Sequence, residues 1–218
     1  MIRRIRNAGL AFLAGTGLAV AEPVTVAALG DSLTQGYGLV PEDGFVPVLE
    51  AWLTRAGEEV VLINAGVSGD TTAGGFSRAA WTLTPEVDAM IVALGGNDIL
   101  RGIDPEVSRA NLDGILAAAT EAGVEVLLVG LDAPSNYGAE YEAAFEAIFP
   151  DLAADYDTLL YPSFLAPLTA DVDTATALTL YMQADGIHPN AEGVERIVEG
   201  IGPVVRDLVA RARAEGAD

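Results

Sequence analysis

Short runs of continuous apolar residues alternate along the chain with stretches in which apolar residues recur every three or four positions. The first kind is the mark of a strand buried on both faces, the second of a helix with one buried face. The runs VTVAALG (24–30), EVVLINAG (59–66), VDAMIVALGG (87–96) and VEVLLVGL (124–131) predict four strands, and a shorter run at 157–161 predicts a fifth. Helical spacing predicts a helix over 44–57, with Phe45, Val48, Leu49 and Trp52 on one face. A second is predicted over 104–123, where Asp104 can cap the start, Pro105 fits the first helical position and Gly123 ends it. Two more are predicted at 139–154 and 190–214.

Strands rich in Val, Ile, Leu and Ala that alternate with helices form a parallel sheet covered on both sides. The fold class expected is therefore α/β, a three-layer α/β/α sandwich with right-handed crossovers. No linker or repeat interrupts residues 22–218, which read as a single domain. In open sheets of this kind ligands bind beyond the carboxyl ends of the strands. Three polar clusters fall there: GDSLTQGYG (30–38) after the first strand, SGDTT (68–72) after the second and GGND (95–98) after the third.

Composition narrows the chemistry. The chain has 218 residues, 51% of them hydrophobic, enough for a sizeable core. Part of that richness is local. Residues 1–21 open with Arg3, Arg4 and Arg6, continue with an apolar run over 8–20 and end in AVA, the pattern of a secretory signal peptide. The alternative is an uncleaved membrane anchor, for which the run falls short of the roughly 20 residues a span needs. Cleavage would place the mature protein in the periplasm or outside the cell, with no stable membrane span. Cysteine is absent, so disulfides, thiolate catalysis and Cys-ligated zinc are excluded. The 11 basic and 32 acidic residues give a formal charge of −21, and no lysine is present. Such a surface repels nucleic acid and disfavours strongly anionic substrates. A soluble, salt-tolerant surface accounts for most of this acidity, and a monomer is expected.

The chain has one histidine, His188, in ADGIHPN (184–190). Alone it reads equally as a structural residue. With Asp185 three positions upstream it can also be a proton carrier oriented by a carboxylate. Ser32 lies two residues past the first strand and is a candidate nucleophile, although a helix-capping serine is the plainer reading. The GxSxG elbow, the Walker A loop and a GxGxxG fingerprint after the first strand are all absent. Gly69 offers an unhindered backbone N–H and Asn97 a neutral amide, unless both are turn residues. An ester hydrolase needs donors of this type aimed at the oxygen that becomes negative. A different chemistry is open to Asp31, Asp70 and Asp98, which are candidate metal ligands of a phosphohydrolase, although no basic clamp accompanies them.

The blocks GDSLT, NAGVSGDTT, GGND and DGIHP, in this order, resemble those of the SGNH, or GDSL-type, serine hydrolases. The segment LDAPSNYGAEYEAAFEAIFPDLA (131–153) looks like that of the bacterial periplasmic thioesterase I, lysophospholipase and arylesterase subgroup. The resemblance implies a flavodoxin-like sheet of five parallel strands. It implies Ser32 as nucleophile, His188 as base and then acid, and Asp185 as the orienting carboxylate. The implied oxyanion hole is the N–H of Ser32, the N–H of Gly69 and the side chain of Asn97. No metal or cofactor is implied, and the implied partner is a small-molecule or lipid ester. A catalytically inactive binding module on the same fold is the remaining alternative. The loop at 131–138 is expected to border the acyl site through Leu131, Pro134 and Tyr137, unless it is an ordinary turn.

Overall fold

The computed structural model describes residues 22–215. The export segment predicted at 1–21 lies outside them. Five strands form one all-parallel sheet: β1 (Val24–Gly30), β2 (Val60–Gly66), β3 (Ala89–Ala93), β4 (Glu125–Val129) and β5 (Leu159–Tyr161). The order is β2-β1-β3-β4-β5. This is the flavodoxin-like order, with its switch point between β1 and β3. Every one of the five strands lies within its predicted run. The runs at 59–66, 87–96, 124–131 and 157–161 extend beyond the strands, at 87–96 and 124–131 through flanking apolar or small residues such as Val87, Leu94, Val124 and Leu131.

Eight helices flank the sheet among the described residues: α1 (Ser32–Gln35), α2 (Phe45–Arg55), α3 (Thr72–Thr82), α4 (Gly96–Arg101), α5 (Pro105–Glu121), α6 (Ala139–Asp155), α7 (Thr174–Tyr181) and α8 (Ala191–Glu215). Of these, α2, α5, α6 and α8 match the helical periodicities. Asp104 caps α5 by accepting from the Glu106 N–H at 2.9 Å, with Pro105 in the first turn. The helices α3 and α7 are not predicted. TAGGFSRAAWT carries two glycines and little apolar periodicity, and TATALTLY is rich in β-branched residues that weaken a helical reading. Tertiary packing decides both: α3 lies against α5, and α7 against α8. Their start signals are caps, Thr71 accepting from Gly74 and Asp173 accepting from Thr176.

The central strands β1 and β3 are buried almost throughout, and the core runs through Leu29, Met90, Ile91, Phe145, Phe149 and Phe164. β2 is an edge and exposes Val61 and Ile63. Its outward N–H groups are partly occupied: Leu62 donates to Glu50 Oε2 at 2.7 Å and Gly66 to Asn64 Oδ1 at 2.9 Å. Such caps blunt an edge against pairing with another chain.

Register positions the site. Gly30 pairs with Gly66 on one side and with Ala93 on the other, so β1, β2 and β3 end level. The three segments that follow therefore leave the sheet side by side. Gly66 admits the backbone of α1: a Cβ there would lie 2.4 Å from the Gln35 nitrogen.

Candidate active site

The nucleophile candidate is placed by a capped turn of helix. Ser32 is the first residue of α1, and Asp31 caps that helix by accepting from the Leu33 N–H at 3.0 Å. Asp31 is only 2% exposed. Burial pushes its carboxyl up to about 6, against the opposing pull of the Leu33 N–H, the Asn97 amide and His188. A helix cap and a candidate nucleophile are thus neighbours, and the capping role belongs to Asp31 rather than to Ser32.

His188 reaches Ser32 from the other end of the chain. Nε2 of His188 is 2.9 Å from Ser32 Oγ, and Nδ1 is 2.7 Å from Asp185 Oδ2. Asp185 also accepts from the N–H groups of Ile187 at 2.9 Å and His188 at 3.0 Å, so its loop folds around one carboxylate. These three hydrogen bonds, led by that of His188, hold the Asp185 carboxyl down at about 2. It is therefore ionised throughout the neutral range. Asn190 starts α8 as predicted, accepting from the Gly193 N–H at 2.9 Å.

Gln183, which carries no recognisable signal in the sequence, ties this loop to the nucleophile segment. Its backbone N–H donates to the His188 carbonyl at 2.7 Å. Its side-chain amide donates to the carbonyls of Pro189 at 2.9 Å and Tyr37 at 2.7 Å. The Tyr37 ring in turn lies tilted against the His188 imidazole, with centroids 4.6 Å apart.

Both donor candidates line the same cleft as Ser32 and His188. Gly69 has φ +85, a left-handed conformation that a side chain disfavours. Two arginines hold its turn. Arg101, at the end of α4, donates to the Gly69 carbonyl at 2.8 Å. Arg78, on α3, pairs with Asp70 at 2.7 Å and donates to the carbonyls of Ala65 at 2.6 Å and Gly30 at 2.8 Å, joining the ends of β1 and β2. Asn97 sits in the first turn of α4, its amide donating to Asp31 Oδ2 at 3.4 Å. The structure thus brings together all five predicted site residues: Ser32, Gly69, Asn97, Asp185 and His188.

The three aspartates considered as metal ligands do not form a set. Asp70 is engaged by Arg78, and Asp31 caps α1. Asp98 is fully buried and accepts from the Thr72 N–H at 2.8 Å, the Thr72 hydroxyl at 2.5 Å and the Ser108 hydroxyl at 2.9 Å. It serves as a joint between α3, α4 and α5. Among the described residues no group of three or more His, Asp or Glu side chains is arranged to hold a metal ion.

The cleft has a volume of about 650 Å³ and runs along the carboxyl edge of the sheet from β1 toward β5. Beyond the polar cluster its walls are mainly apolar, with Leu131, Pro134, Leu165, Leu168 and Leu178, joined by Asp132, Thr169 and Thr174. Leu131 and Pro134 thus border it as expected. Tyr137 does not: its ring packs against Gly102 and the Tyr141 ring instead. Among the described residues no helix is long and apolar enough to cross a membrane.

An apolar trough ending at a hydroxyl and an imidazole, with Gly69 and Asn97 lining the same cleft, suits acyl transfer. Comparison with known proteins agrees. Residues 28–196 match the model of the GDSL-like lipase/acylhydrolase family. The chain is 37% identical over 186 residues to esterase TesA of Pseudomonas aeruginosa, covering 85% of this chain and 89% of that protein. It is 34% identical over 187 residues to thioesterase 1/protease 1/lysophospholipase L1 of Escherichia coli K12, covering 85% of each. The crystal structure of AlinE4, an SGNH-hydrolase family esterase, superposes with a TM-score of 0.70 at 40% identity, covering 87% of this chain and 98% of that one.

Proposed function

The chain belongs to the GDSL-like lipase/acylhydrolase family and is a carboxylic-ester hydrolase; from that premise we propose that it is an exported enzyme working through an acyl-Ser32 intermediate. The observation that carries this reading is the hydrogen-bonded line Ser32 Oγ, His188, Asp185, with separations of 2.9 and 2.7 Å. A serine hydroxyl is a poor nucleophile until a base takes its proton. His188 Nε2 is within reach to do so, while ionised Asp185 on Nδ1 fixes the tautomer and stabilises the imidazolium that forms.

In the proposed mechanism Ser32 Oγ bonds to the carbonyl carbon as its proton passes to His188. The carbonyl oxygen becomes an oxyanion facing the N–H groups of Ser32 and Gly69 and the amide of Asn97. When the tetrahedral species collapses, the bond to the alcohol oxygen breaks and His188 returns the proton to that oxygen. Water then repeats the sequence on the acyl-enzyme, releasing the acid and restoring Ser32.

The acyl chain is assigned to the apolar trough between Leu131, Leu168 and Leu178. Medium-chain, aryl and lysophospholipid esters fit this assignment better than acyl-CoA thioesters. The net charge opposes a polyanionic leaving group, and export would remove the enzyme from cytosolic acyl-CoA. The export reading rests on the basic start and apolar run at 1–21. The test is turnover of p-nitrophenyl octanoate by the mature protein. Ser32→Ala and His188→Ala are each expected to abolish it, and activity surviving Ser32→Ala would overturn the assignment of nucleophile.

A further inference from the structure

A second cavity, of about 570 Å³, opens beside the first, around the carboxyl end of α1. Gln35, Tyr37, Leu39, Pro41, Glu42 and Asn64 are among its lining residues. Tyr37 is the residue that lines both cavities. Its position is fixed twice, by the Gln183 amide on its carbonyl at 2.7 Å and by its ring against the His188 imidazole at 4.6 Å between centroids. The wall between the cavities is completed by Ser68, whose hydroxyl donates to Gln35 Oε1.

We propose that this second cavity receives the alcohol side of the ester, and that it selects neutral or cationic alcohols and rejects anionic ones. The proposal rests on the acyl-Ser32 reading and specifies its other half. Three observations carry it. The leaving oxygen takes its proton from His188 Nε2, so the alcohol departs past the imidazole and the ring of Tyr37 beside it. Ser32 Oγ is 2.9 Å from His188 Nε2, and the His188 ring is 4.6 Å between centroids from Tyr37, which lines the second cavity, so the nucleophile and the cavity are separated by two adjoining rings. The two cavities also differ in chemistry. The first is walled by leucines and suits an alkyl chain. The second combines an aromatic ring, prolines and the polar groups of Gln35 and Asn64, and among the described residues of its lining Glu42 is the charged one.

An aromatic face beside a carboxylate attracts a quaternary ammonium. The Glu42 carboxylate repels an alcohol of net negative charge, whereas a zwitterionic lysophospholipid head group carries an ammonium that offsets its phosphate. This gives a local cause for leaving-group discrimination, distinct from the overall charge of the protein. The step involved is that of the proposed mechanism: the ester C–O bond breaks, and the proton from His188 goes to the alcohol oxygen. The second cavity only holds the group that leaves.

The experiment uses octanoyl esters of one acyl chain and four alcohols: ethanol, p-nitrophenol, choline and 4-hydroxybenzoate. For each, kcat/KM of a variant is divided by that of the wild type, so intrinsic leaving-group reactivity cancels. Glu42→Lys, on an exposed side chain, is expected to lower the choline ratio and raise the 4-hydroxybenzoate ratio about 3- to 7-fold at low ionic strength. The ethyl ester should stay within about twofold. Glu121→Lys, the same charge change at the far end of α5, should leave the pattern across alcohols flat. Pro41→Trp, which fills the cavity from an exposed position, should lower kcat/KM for the p-nitrophenyl ester about tenfold and spare the ethyl ester. Equal ratios across the four alcohols in both Glu42→Lys and Pro41→Trp would overturn the proposal, as would a Glu121→Lys pattern matching that of Glu42→Lys. Activity of Ser32→Ala on the ethyl ester would instead overturn the acyl-enzyme reading, so the two failures are distinguishable.

Discussion

Replacing Asp31 with asparagine should make the protein more stable and less active. Asp31 is 2% exposed, and burial raises its carboxyl from the ordinary 3.8 to about 6. At about 1.4 kcal/mol for each tenfold change in proton affinity, keeping it ionised in the folded state costs about 3 kcal/mol. The sign follows from proton uptake. Between pH 4 and 6 the folded protein holds a proton on Asp31 that the unfolded chain has lost, so stability from this residue falls as pH rises through that window. Below it, both states are protonated and no cost remains. An asparagine avoids the cost but turns an amide toward the Asn97 amide, where Asp31 Oδ2 now accepts at 3.4 Å. Two facing donors take back about 1–2 kcal/mol. The expected net gain at pH 7.5 is therefore about 1–2 kcal/mol, turning into a loss of about 1–2 kcal/mol at pH 4, where the ionisation cost is gone and the facing donors remain. Urea unfolding of wild type and Asp31→Asn at the two pH values measures it, with kcat/KM on p-nitrophenyl octanoate recorded alongside. A loss of stability at pH 7.5, or the same gain at both pH values, would refute the reasoning. Stability given up at a site to hold a functional group in place is a general feature of enzymes. Here that group is Asn97.

Three further outcomes are expected. Asn97→Ala should lower kcat about 100- to 1,000-fold with KM little changed, since the amide serves the oxyanion rather than the bound ester; steady-state kinetics on p-nitrophenyl octanoate decide it, and a change confined to KM would contradict the role. Asp185→Asn should cost less than His188→Ala, because orientation is lost while the base remains; the Asp185 carboxyl, held at about 2, should also leave no titration of its own in a kcat/KM profile between pH 5 and 9, and a reversed order of the two variants would contradict the assignment. Expressed with its full sequence in a bacterial host, the chain should appear in the periplasm or medium with Glu22 as its first residue, read by N-terminal sequencing; recovery of the intact N-terminus in the membrane fraction would favour the anchor.

Much of the fold is legible in the sequence because the strongest signals are local. Runs such as VTVAALG and AMIVA are too apolar to be anything but buried, and their alternation with amphipathic helices leaves one architecture. The helix α3 escapes detection because its two glycines carry the opposite local signal, and its packing against α5 and the Asp98 contact to Thr72 are not visible locally. The site divides the same way. Ser32, Gly69, Asn97, Asp185 and His188 stand in ordered blocks, the first three after strand ends, where a residue's position follows from the fold, and the last two in the loop before α8. Arg78, Arg101 and Gln183 do not, because their partners are distant in sequence: Gln183 reaches Tyr37 and Arg78 reaches Gly30. Asp31 is visible as a candidate ligand, and only its burial reveals a cap that supports Asn97. Tyr137 illustrates the reverse error, an exposed aromatic in the right loop whose ring turns to Tyr141 instead of the cleft.

The central claim is that turnover passes through an ester on Ser32. The direct measurement is mass spectrometry of the enzyme quenched in acid during turnover of p-nitrophenyl octanoate, followed by peptide mapping. Acid denatures the enzyme and halts deacylation. The account predicts a mass increase of one octanoyl group, located on Ser32 in the peptide that carries GDSLTQGYG, and its absence from Ser32→Ala. An octanoyl group on another residue, or steady turnover by Ser32→Ala, would contradict it.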